Sequence, residues 1–397
     1  MTDPFNTDEY TRPHPTAELR VPAALRRRAA REFLGHLVIA LLFFVWIAGC
    51  GAPAGLLAGL VPCVAVLAAV HGRLWRNLHL NRRPGATAIR SQIGGANRLT
   101  LMRGLFIGLI AGFVFSGPAG QYPNAAAWSW WPGCLYLLAA LLDGLDGYWA
   151  RRFGTPTRLG QELDLHTDAL GMLVAISVAI GAQRLPPYYL VAGVAFYAFR
   201  FGLWYRRRQG YGNRPAGPRS FARLVAGAQM GFVGIAMLPL FAYNVIHALA
   251  PLFLIPLIAG FVWDWLIARG DLSEAAIQRC QRVLRIFVAK IPPLLRVGLL
   301  VSGGLFIRDM PLAPPLSPVW LLGLGFMVIS GLAGRTAALL LSLALAYQAT
   351  AAEPTPLLMT YLAGAVVLVM AGTGDASLWR PEDAFIFRQP ASHPESG

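Results

Sequence analysis

Four aspartates, Asp143, Asp146, Asp164 and Asp168, carry the strongest chemical signal in this chain. They stand in or beside segments otherwise apolar enough to lie in a membrane, where a carboxylate costs about 3 kcal/mol unless it is paired or bound to a cation, and so marks a functional site. Asp143 and Asp146 are three residues apart and Asp164 and Asp168 four apart, so on two helices each pair shares one face. Two such faces opposed make an oxygen cage. Hard divalent cations such as Mg²⁺ or Mn²⁺ prefer such donors, and no Cys or His cluster competes for a softer metal. His166 lies roughly 200° round the helix from Asp164 at 3.6 residues per turn, and reads as packing or loop-facing. Between the pairs the residues suit a phosphate substrate: Gly147, Ala150 and Gly160 remove bulk, and Arg151 offers a planar donor fork. The plainer account makes Arg151, Arg152 and Arg158 membrane anchors paired to the aspartates, but four acids at helical spacings exceed what anchoring needs.

The elements that must position these residues are membrane helices. The chain has 397 residues, 56% of them hydrophobic and 13% charged, and offers many apolar runs of bilayer-spanning length. The formal charge of +15 does not describe a nucleic-acid surface, because the arginines cluster in short loops between apolar runs, as the positive-inside rule expects. Cys50, Cys63, Cys134 and Cys280 are scattered and predict neither a disulfide framework nor a zinc site. A cleaved signal peptide is not expected, since no small-residue cleavage site precedes a soluble segment.

The pattern Asp143-x2-Asp146-Gly147-x2-Ala150-Arg151-x8-Gly160-x3-Asp164-x3-Asp168 resembles, at every fixed position, the signature of the CDP-alcohol phosphotransferase family. The resemblance covers about residues 97 to 269. It implies that Asp143, Asp146 and Asp164 hold a pair of divalent cations on the CDP diphosphate, and that Asp168 contacts metal and acts as general base on an acceptor alcohol. It implies CDP and phosphate contacts around Gly147, Ala150, Arg151 and Gly160. Asn97, Leu99, Thr100 and Arg103 resemble the segment with which relatives open their nucleotide site, although Arg103 reads equally well as an interfacial anchor. Arg219, Ser220 and Arg223 stand where relatives have basic and hydroxyl residues facing the cavity. A CDP-diacylglycerol-like donor, an alcohol acceptor and a homodimer are the implied partners; nucleic acid is not.

In chain order, the expectation is an all-α polytopic membrane protein of about twelve spans with both termini and the aspartate motif on the cytoplasmic side. Residues 1–32 read as a basic tail, 33–96 as a membrane hairpin and an arginine-rich loop, and 97–269 as a six-helix core. Asp271 to Glu274 has capping-box character and opens an amphipathic interfacial linker over 270–293. Residues 294–378 read as four further spans, in which Gly331 to Leu341 and Gly372 to Leu378 resemble a DoxX-type membrane module, and 379–397 as a tail. Two other functions compete. An intramembrane prenyltransferase also holds Mg²⁺-diphosphate on aspartates but spaces them differently, and a secondary transporter would use buried acids for ion coupling.

Overall fold

The computed structural model of the chain describes residues 21–50, 56–82, 88–117, 129–152, 157–214, 220–309, 312–314, 316–352, 354–372, 374 and 377–379. Among these residues the fold is all-helical, with a single isolated bridge between Leu332 and Trp379. Twelve α-helices follow in order: α1 Ala23–Gly49, α2 Leu56–Arg76, α3 Gly95–Ala111, α4 Trp130–Arg152, α5 Arg158–Gly181, α6 Leu190–Arg208, α7 Ser220–Met237, α8 Tyr243–Arg269, α9 Glu274–Asp309, α10 Pro318–Ser330, α11 Gly334–Ala351 and α12 Pro356–Ala371. Four of them, α1, α2, α5 and α8, are long and apolar enough to cross a membrane. The apolar α10 and α12 have 13 and 16 residues. At 1.5 Å per residue such helices fall short of a hydrocarbon core of about 30 Å.

The chain divides into two compact units, residues 1–210 with 229–243, and residues 211–228 with 244–397. In the first, α3 is the central helix, packed on α2, α4 and α5. Its sequence explains why. Gly104, Gly108 and Gly112 recur every fourth residue and form one bare stripe, which lets a neighbouring helix approach closely. A Cβ at Gly104 would lie 2.9 Å from Val70, and one at Gly108 would lie 3.2 Å from Leu67 and 3.3 Å from the Cys63 sulfur. The stripe therefore seats α3 on α2. Leu25, Ala29, Val70, Leu74, Leu101, Leu159 and Leu163 fill the space among α1, α2, α3 and α5. This apolar cluster fixes the register of α5, which carries Asp164 and Asp168.

In the second unit, the expected linker and the span after it are one continuous helix, α9, of 36 residues. Pro292 and Pro293 lie inside it without ending it. Proline frees the carbonyl four residues before it, and at Pro293 that carbonyl belongs to Ala289. Gly374, at φ +77°, passes so close that a Cβ there would lie 2.8 Å from the Ala289 oxygen and 2.7 Å from the Pro293 ring. The start of α9 also differs from the expected cap. Asp271 pairs with Arg269 at 3.0 Å, and it is the Ser273 hydroxyl that accepts from the Ala276 amide at 3.2 Å. A side chain one residue from the helix start reaches those amides; one three residues away has a cation nearer to hand.

The two stretches that resemble a DoxX-type module meet in space. The Leu378 amide donates to the Ser330 carbonyl at 3.1 Å, and the Ala333 amide donates to the Trp379 carbonyl at 2.9 Å. Arg335 donates to the carbonyls of Val369, Met370 and Ala371, the negative dipole end of α12. These residues form a joint between α10, α11 and the end of α12.

Candidate functional site: an acidic centre around Arg103

Each acidic side chain reaches the site from a helix whose local sequence sets its direction. Asp143 lies in the second half of α4. Asp164 and Asp168 lie one turn apart in the first half of α5. The start of α5 is held in place by Thr157, whose extended backbone (φ −128°, ψ 151°) and hydroxyl accepting from the Gly160 amide at 3.0 Å make it the N-cap. Asn97 of α3, itself buried, donates to the same hydroxyl at 3.3 Å. Gly160 packs directly against it: a Cβ there would lie 2.6 Å from Asn97 Oδ1. Asn97, Thr157 and Gly160 thus lock the N-terminal end of α5 to the N-terminal end of α3.

With that register set, Asp143, Asp164 and Asp168 converge, each with a carboxylate oxygen within 4.8 Å of the others. Arg103 of α3 stands among them. Its Nη1 lies 2.8 Å from Asp143 Oδ1 and 2.5 Å from Asp164 Oδ1, and its Nη2 donates to Asp168 Oδ1. The arginine is 3% exposed, whereas the three aspartate side chains keep between 30% and 41% of their surface. The carboxylates are therefore open to a ligand from outside while their counter-charge comes from within the bundle. Among the described residues one guanidinium faces three carboxylates, which leaves net negative charge, and with oxygen donors only, this is the donor set that hard divalent cations take. The residues fit such an ion.

Tyr136 and Met172 close the floor. Tyr136 precedes Asp143 by two helical turns and Met172 follows Asp168 by one, and the tyrosine hydroxyl reaches the Met172 sulfur at 3.9 Å. On the other face of α5, Glu162 pairs with Arg73 of α2 at 3.2 Å, and His166 sits 3.9 Å from Glu162 with its ring edge-on to Phe196. His166 is thus turned away from the centre, the placement its spacing predicts.

The remaining candidates distribute as follows. Thr100 is buried and turns its hydroxyl to the Ala96 carbonyl of its own helix at 3.2 Å. Asp146, Gly147, Ala150 and Arg151 continue α4, and Ser220 and Arg223 open α7; their side chains lie outside the described residues, as does Arg219 altogether. Spacing alone misses the central place of Arg103. An interfacial anchor would face solvent, whereas this arginine is buried and faces three acids. The available signal is a cation within the apolar run from Leu101 to Ala111, which needs a counter-charge. The glycine stripe on α3 was equally legible as a repeat of four.

A family model described as CDP-alcohol phosphatidyltransferase matches residues 95–265. Its members are phosphotransferase enzymes that act on a CDP-alcohol donor and use divalent metal. The matched segment runs from the first residue of α3 into α8 and contains all four aspartates. No curated protein and no solved structure matches the chain.

Proposed function

From a chain whose residues 95–265 match the CDP-alcohol phosphatidyltransferase family model, we propose a membrane enzyme of phospholipid synthesis. It moves a phosphatidyl group from a CDP-diacylglycerol-like donor to an alcohol acceptor and releases CMP. The observation that carries this reading is the convergence of three partly exposed carboxylates from α4 and α5 around one buried arginine.

Asp143, Asp146, Asp164 and Asp168 are the residues that would hold two divalent cations; Asp146 sits one turn beyond Asp143 on the same face of α4. When bound, the cations would neutralise the donor diphosphate and the charge that develops on departing CMP. Asp168 would accept the proton of the acceptor hydroxyl. The hydroxyl oxygen attacks the phosphorus distal to cytidine, its bond to the bridging oxygen breaks, and CMP leaves with that electron pair. Arg103 would fix the three carboxylates in space and add positive charge beside the diphosphate. Gly147, Ala150 and Arg151 would face the nucleotide, with Arg219, Ser220 and Arg223 as contacts to a substrate phosphate. We take α3 to α8 as the six-helix catalytic core, preceded by the α1–α2 hairpin and followed by a four-helix module, α9 to α12. The acidic centre and both termini would face the cytoplasm, a reading supported by the arginines in the loops. A homodimer is the expected assembly.

The test is CMP release by purified protein with CDP-diacylglycerol, Mn²⁺ or Mg²⁺ and a panel of alcohols, wild type against Asp168→Asn. Release with one alcohol, reduced at least about 10²-fold in the variant, supports the assignment and names the acceptor. Undiminished release by the variant would remove Asp168 as the base.

A further inference from the structure

A second polar cavity lies on the other side of α3 from the acidic centre. It has a volume of about 480 Å³ and is lined by Arg28, Arg31 and Glu32 of α1, by Gln92, and by Arg98 at the end of the first turn of α3. Three guanidinium groups face one carboxylate. Glu32 is already engaged by Arg98, at 3.1 Å, and Arg28 donates to the Ser91 carbonyl at 3.3 Å. Arg31 makes no hydrogen bond or ion pair among the described residues, so its charge faces the cavity without a counter-charge. The wall also has the end of a helix beside it. Gly94 caps α3 without a side-chain hydrogen bond, and no acidic residue stands in its first turn, so the amide end of the dipole is unbalanced there.

This cavity is not part of the carboxylate site. Arg98 and Arg103 lie roughly 140° apart round α3 at 3.6 residues per turn. Arg103 turns to α4 and α5, and Arg98 turns to α1. Its height is also informative. The apolar run of α1 begins at Phe33, immediately after Arg31 and Glu32. The cavity therefore opens at the level where a membrane helix meets water, which is where lipid phosphates lie, and basic pockets between helices at that level take anionic headgroups.

We propose that Arg28, Arg31, Gln92 and Arg98 form a phosphate-binding site, separate from the catalytic centre, whose occupant is the phosphate of an anionic phospholipid headgroup or a free phosphate. A phosphate placed there would gain two planar donor forks and a helix dipole at once. It would also join α1 to α3 through a shared anion, coupling the hairpin to the helix that carries Arg103.

The test uses the full chain in nanodiscs and in detergent. Lipid retention is measured by native mass spectrometry with phosphatidylglycerol against phosphatidylcholine, and melting temperature is measured against inorganic phosphate. The variant Arg28→Gln/Arg31→Gln is compared with Arg27→Gln, a neighbouring exposed arginine outside the cavity wall. A lipid occupant predicts selective retention of phosphatidylglycerol, weakened about tenfold or more in the double variant and little in Arg27→Gln. A free-phosphate occupant predicts a rise in melting temperature with phosphate that the double variant loses, without selectivity between the lipids. Equal behaviour of all three proteins in both assays, or an equal loss in Arg27→Gln, would overturn the proposal. Because the readouts are binding and melting, the result stands whether or not CMP release is observed.

Discussion

Arg103 and Arg335 are both buried, at 3% and 8% exposure, and they do opposite work. Arg103 meets three carboxylates from two other helices; Arg335 meets three backbone carbonyls at the end of one. The carbonyls of α12 are neutral, and through them Arg335 completes a helix end and helps hold the joint among α10, α11 and α12. The carboxylates around Arg103 are partly exposed and exceed it in charge, so its ion pairs cannot be the final balance of that site. A buried cation facing neutral acceptors indicates structure. One facing surplus, accessible acids indicates a site meant to hold more positive charge.

The largest effect should come from Arg103→Met, which keeps volume and removes charge. Breaking a buried charge cluster by taking out one partner costs on the order of 3–5 kcal/mol, so the metal-free variant should melt well below the wild type. Added Mn²⁺ should then raise its melting temperature by more than it raises that of the wild type, because the ion no longer competes with a resident cation and binding to the folded state alone adds stability. CMP release should fall about 10²-fold. Equal Mn²⁺ shifts in the two proteins would show that Arg103 does not share its carboxylates with the ion, and the contrast with Arg335 would lose its basis.

What the sequence discloses of this centre depends on the distance over which a pattern acts. That Asp143 with Asp146, and Asp164 with Asp168, share helix faces follows from spacing within one helix, and the three carboxylates among the described residues converge. Helical class followed equally from the apolar runs. The role of Arg103 depends on contacts to Asp164 and Asp168, which lie 61 and 65 residues along the chain, and no local rule encodes such a meeting. The lengths of the helices were hard to read for a related reason. Apolar runs such as α10 and α12 advertise themselves by composition, but their helical length is set by where caps fall, at Ser317 and Gly331 for the first and at Thr355 and Gly372 for the second. The fusion of linker and span into α9 shows the converse, since a proline pair that reads as a boundary is accommodated by a glycine more than eighty residues later.

Arg335→Met should have a smaller effect of a different kind. Losing hydrogen bonds from a charged donor to buried carbonyls costs roughly 1.5–3 kcal/mol, read as a lower melting temperature. Activity per folded molecule and the response to Mn²⁺ should stay at wild-type values. A variant of Arg335 that altered Mn²⁺ affinity would mean that the second unit sets the geometry of the acidic centre, and the division between a structural and a functional arginine would fail.

The smallest effect is expected from Gly160→Ala, and it separates two accounts of one residue. If Gly160 is bare to admit a nucleotide, an added methyl group should raise KM for the CDP-linked donor whatever Asn97 does. If it is bare because Asn97 lies against it, with a Cβ placed 2.6 Å from Asn97 Oδ1, the cost is one of packing, about 1–2 kcal/mol, and should shrink in an Asn97→Ala background. A double-mutant cycle on melting temperature measures that coupling directly. Coupling of more than about 0.5 kcal/mol with an unchanged donor KM would assign Asn97 and Gly160 to the lock between α3 and α5. That lock brings the carboxylates of α5 to Arg103, so these two residues would act on the acidic centre through position and not through contact with substrate.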